Sequence, residues 1–105
     1  MAARINRRNV IRKKPTIRKH IFRGKAYNIK WRPVRKLDGS CDHPAVTDKE
    51  MLFRTTLGED PRNELETYIH ECLHACYFDQ SEEAVYEAAR DIAYFLWRLK
   101  YRKAP

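Results

Sequence analysis

Between Ile17 and Val34 apolar and polar positions alternate, and Arg23-Gly24-Lys25 interrupts the alternation with turn chemistry, so the pattern predicts a β-hairpin. Tyr27, Ile29 and Trp31 share one face of the second strand, and Pro33 ends it. Residues 37 to 48 follow neither period. With Asp38-Gly39 and His43-Pro44 they read as loop. Glu50 to Thr56, around Met51-Leu52-Phe53, reads as a short strand, expected at a sheet edge where an extended peptide can pair. Asp60-Pro61 then opens a helix, Asp60 as N-cap and Pro61 in its first position, running to about Tyr77. After Asp79-Gln80, Ser81 caps a second helix from Glu82 to about Arg102, with Val85, Ala88, Ala89, Ile92, Leu96 and Leu99 at helical spacing. The expected architecture is α+β, a small antiparallel sheet packed on two helices.

At 105 residues the chain has room for one domain. Charge divides it unevenly. Residues 1 to 36 hold 14 of the 22 Lys and Arg and none of the 14 Asp and Glu, so a cationic N-terminal region of +14 precedes a body of net charge −6. Arg7, Arg8, Arg12, Lys13 and Lys14 stand among few apolar residues, which predicts a basic flexible arm over residues 1 to 19 and a single domain over 20 to 105. Such an arm fits DNA or RNA phosphate, or an acidic protein surface reached through residues 1 to 36. No apolar run approaches the roughly 18 residues of a membrane span, and the N-terminus lacks the apolar stretch of a signal peptide, so the expected location is cytoplasmic without a membrane partner. Cys41, Cys72 and Cys76 are odd in number and lack C-x-x-C spacing, which reads as reduced thiols.

The first helix carries His70-Glu71-Cys72-Leu73-His74, an H-E-x-x-H motif. Histidines four residues apart project from one helical face and reach one tetrahedral ion, which predicts Zn2+ on His70 and His74. Glu71 is the expected general base, taking a proton from water. The bland alternative is a helix with two surface histidines beside a carboxylate. A third ligand is needed, and no histidine follows at the metzincin position, where Gln80 stands. The second helix offers acids instead. His74 lies a turn from the end of its helix, which favours Glu83, with Glu87 and Glu82 as alternatives and Asp91 orienting a ligand histidine. Tyr68, Tyr77 and His43 remain unassigned, and Cys72 and Cys76 read as small core residues.

Through His70-Glu71-Cys72-Leu73-His74-Ala75, Ser81-Glu82-Glu83 and the stretch Asp91 to Leu99, the chain resembles short zinc metallopeptidases of bacteriophage and bacterial genomes over about residues 38 to 102. It also resembles a minimal gluzincin, which implies a zincin-like fold, zinc on His70, His74 and a glutamate of the second helix, and catalysis by Glu71. The string Ile69 to Ala75 is similar to SprT-like proteases that act near DNA, although their downstream third histidine is absent. The resemblance implies hydrolysis of a peptide or protein substrate in a bacterial or phage-infected cytoplasm. The other reading is a nucleic-acid-binding or virion-associated structural protein that uses the arm and carries a structural or vestigial metal site. Deleting residues 1 to 19 separates the two, since a DNA-tethered enzyme then loses salt-dependent DNA binding and keeps hydrolysis.

Overall fold

The structure, a computed structural model, describes residues 17–104. Arg7, Arg8, Arg12, Lys13 and Lys14, and with them most of the expected arm, lie outside the described residues. The hairpin forms as its pattern predicts: β1 (Lys19–Phe22) and β2 (Lys25–Arg32) pair antiparallel, with Phe22 opposite Lys25. Arg23 and Gly24 are the whole turn, with φ of 47° and 80°, the left-handed pair that matches strand twist in a two-residue hairpin. Strand alternation sends Tyr27 and Ile29 into the core and leaves Asn28, Lys30 and Arg32 on the other face.

The chain then makes β3 (Gly39–Cys41) and β4 (Glu50–Arg54), and the sheet order is β1-β2-β4-β3. The α+β class holds, but the sheet is mixed rather than antiparallel, because β4 runs parallel to β2. The parallel register sets Ile29 beside Met51 and Trp31 beside Phe53, so two adjacent strands present one continuous apolar face. The expected strand at Glu50 to Thr56 therefore exists but is not an edge. It is enclosed by β2 and β3, and its backbone has no free side for a peptide. The edge beyond it is β3, which lies in the stretch expected to be loop.

A short 3-10 turn (Leu57–Glu59) leads into α1 (Pro61–Cys76), whose N-cap Asp60 accepts a hydrogen bond from Asn63 N at 3.2 Å. Ser81 caps α2 (Glu82–Arg98) in the same way, accepting from Ala84 N at 3.1 Å. The second helix stops four residues earlier than its pattern predicts. Lys100 takes a φ of 70°, and Arg102 turns back to donate to Trp97 O with its guanidinium 3.8 Å from the Trp97 ring centroid. Tyr27, Ile29, Met51, Phe53, Leu57 and Ala75 form the core between sheet and α1. The largest fully buried side chains, Tyr27, Met51 and Leu57, each contribute about 1.5–3 kcal/mol by leaving water. The helices form a hairpin, with α2 packed on α1 through the short connector after Cys76. The helix that carries the histidines is thus held from two sides.

Candidate metal centre

Position along α1 fixes what each side chain of the motif can reach. Glu64, Thr67, Glu71 and Ala75 recur every three or four residues and are buried on the sheet side of the helix. Tyr68 and Cys72 take one flank, beside Trp31 and Phe53. His70 and His74 take the other flank, with ring centroids 4.8 Å apart and planes at 70°. One ligand atom from each of His70, Glu71 and His74 lies within 4.8 Å of the others, a group that can hold a metal ion.

A second carboxylate approaches the histidines from the next helix. His70 Nε2 stands 2.7 Å from Glu82 Oε1, and His74 Nε2 stands 2.9 Å from Glu82 Oε2. Two imidazole nitrogens and one carboxylate are the donor chemistry of hydrolytic zinc sites. Ligands of a tetrahedral zinc with bonds of about 2.0–2.1 Å stand roughly 3.3 Å apart, and each histidine reaches one oxygen of the Glu82 carboxylate at a somewhat shorter distance, so the two imidazoles and this carboxylate have the donor chemistry for such an ion. Glu82, Glu83 and Glu87 are all exposed, but only Glu82 pairs with the histidines. Asp91, expected to orient a ligand, is exposed as well and faces Arg90 at 3.5 Å.

Sequence periodicity carried the signal for Glu82. Val85, Ala89 and Ala93 form the buried face of α2, and Glu82 lies three, seven and eleven residues before them, on the same face. Glu83, Glu87 and Asp91 form a row roughly 120–160° around the helix from Ala89, turned away from the histidines. A preference for Glu83 followed distance along the chain where helix phase decides.

Glu71 is only 5% exposed. Burial, and next the negative charge of Glu82, push its carboxyl up to about 7. A carboxylate that titrates near neutrality suits proton transfer. Gly39 of β3 lies directly against it, since a Cβ there would stand 3.2 Å from Glu71 Cγ. The cysteines are free and half-buried, and burial pushes Cys41 up to about 12 and Cys72 up to about 11, which marks them as inert packing thiols.

His43 accepts a hydrogen bond from Ala45 N through Nδ1, and its ring meets Phe78 at 4.5 Å, which in turn lies 6.1 Å from His74. The loop that carries His43 thus reaches the helix connector. Tyr77 is exposed beneath the Arg23 guanidinium, and Tyr68 donates to Glu64 Oε2 at 2.8 Å on the far flank. An apolar cavity of about 340 Å³ opens on that flank beside Cys72 and includes neither histidine, so it is separate from the metal centre. Glu64 is a buried acid with no part in the centre. Its Oε2 also accepts from Lys103 Nζ at 3.1 Å and so ties the C-terminal tail to α1, a contact between distant residues that no local pattern announces.

Comparison of the chain with protein-family models, with curated proteins and with solved structures gives no match. No helix among the described residues is long and apolar enough to cross a membrane.

Proposed function

We propose that this chain is a zinc-dependent peptidase of minimal gluzincin type, with His70, His74 and Glu82 as the metal-binding residues and Glu71 as general base. The observation that carries the reading is the convergence of both histidine Nε2 atoms on one Glu82 carboxylate, with Glu71 buried alongside. Zinc bound there supplies Lewis acidity and lowers the pKa of water to about 7. The α1 helix sets the spacing of the two imidazoles, and α2 brings the carboxylate to them. Glu71 accepts the proton of the attacking water and returns it to the departing amine. The edge of β3, unpaired among the described residues and backed by Glu71 through Gly39, offers its backbone to an extended peptide.

Removal of the base while keeping the metal residues tests the reading. Glu71→Gln is expected to lower zinc-dependent cleavage of an unfolded protein such as casein by about 100-fold or more, with the zinc content unchanged. Equal cleavage by wild type and variant, or a wild type that cleaves nothing when loaded with zinc, contradicts it.

A further inference from the structure

The second helix buries one apolar face against α1 and leaves another bare. Ile92, Phe95 and Leu99 are 41%, 60% and 54% exposed, and Ala88 precedes them in the same row. Spacings of four, three and four residues place the four side chains on one stripe, the a and d positions of a coiled-coil seam. The stripe lies next to the Val85, Ala89 and Ala93 face rather than on it, so α1 does not cover it. Three large apolar side chains in one helical row are more than the scattered exposed residues of an ordinary surface.

Charge along the same helix selects the occupant. Asp91 and Arg98 are seven residues apart and occupy equivalent positions on the solvent rim of the stripe. Asp91 meets only its neighbour Arg90, at 3.5 Å, and Arg98 lies over the Tyr94 ring at 5.6 Å and pairs with no acid among the described residues. When two such stripes pack antiparallel, with Ala88 against Leu99 of the other copy and Ile92 against Phe95, each Asp91 comes opposite the Arg98 of the other copy. A parallel arrangement makes no such pair, and it also aligns the two helix dipoles unfavourably.

We propose that the stripe Ala88, Ile92, Phe95 and Leu99 is a self-association surface, on which a second copy of this chain packs its α2 antiparallel about a two-fold axis. The interface is isologous, so the apolar seam and the Asp91 and Arg98 rim are each used twice. A seam of four residues is smaller than a standard interface of about 800 Å² per partner, so the dimer is weak and its population depends on concentration.

Sedimentation velocity on the full chain, from about 5 µM to about 500 µM at about 0.15 M salt, tests this. The expected mass rises from the 12.6 kDa of one chain toward twice that value. Phe95→Glu holds the mass at one chain throughout, and circular dichroism reports whether the helices persist. Asp91→Arg and Arg98→Asp each weaken association roughly tenfold, and the double variant restores it, because the swapped charges face each other again. A wild type that stays at one chain at every concentration overturns the proposal, whatever else covers the stripe, residues 1–16 or a different protein included. A dimer indifferent to Phe95→Glu overturns it too, and a double variant as weak as the single ones overturns the antiparallel arrangement.

Discussion

Glu71 illustrates how one residue's environment sets both chemistry and stability. Its carboxyl is pushed from 4.5 to about 7, mainly by burial, so the folded metal-free protein binds that proton more tightly than the unfolded chain does. The sign follows from that difference. The contribution to stability is fully present below the unfolded value of 4.5 and is lost as pH rises through about 7. The shift corresponds to at most about 3 kcal/mol between those limits. With a chelator present, wild type is expected to lose stability over this pH range relative to Glu71→Gln, measured by urea unfolding at several pH values. A constant difference between the two proteins across that range contradicts the assignment. The pairing of Glu82 with the histidines belongs to the same scale. His70, Glu71 and His74 were legible because an i, i+4 spacing within one helix is local, whereas the choice of glutamate depends on the phase of one helix against another.

The hairpin, both helices and both N-caps were legible in the chain, because alternation, Asp60-Pro61 and Ser81 act over a few residues. The sheet order was not. Strand β3 has three residues and no alternation, and it forms because β4 pairs with it and α1 backs it. Gly39 is the position where that backing is closest: an added Cβ would stand 3.1 Å from Leu52 O and from Thr67 Cγ2. Gly39→Ala therefore forces the strand and α1 apart by a few tenths of an ångström and is expected to cost about 1–3 kcal/mol. Thr67→Ser in the same chain removes the methyl contact and recovers part of the loss, read from denaturant midpoints. A Gly39→Ala protein as stable as wild type would show that β3 does not press on the helix. The parallel pairing of β2 with β4 was equally out of reach, since the apolar patterns of Tyr27 to Trp31 and Met51 to Phe53 fit either direction.

At the scale of the whole molecule the sheet, α1 and α2 form successive layers, and the candidate metal centre sits where α1 meets the first turn of α2. The cationic excess is visible in the described residues as well. The hairpin and the loop after it, residues 17–36, carry eight Lys and Arg without an acid. Of these, only Lys30 has an acidic partner among the described residues, Glu50. Under the proposed function, an ion held in the candidate metal centre joins the two helices. Elemental analysis of tag-free protein, reconstituted and then dialysed, tests it most directly. One zinc per chain is expected in wild type and in Glu83→Ala, and loss of zinc in His74→Ala and Glu82→Ala. A wild type that retains no zinc, or a site lost with Glu83→Ala and kept with Glu82→Ala, would contradict it.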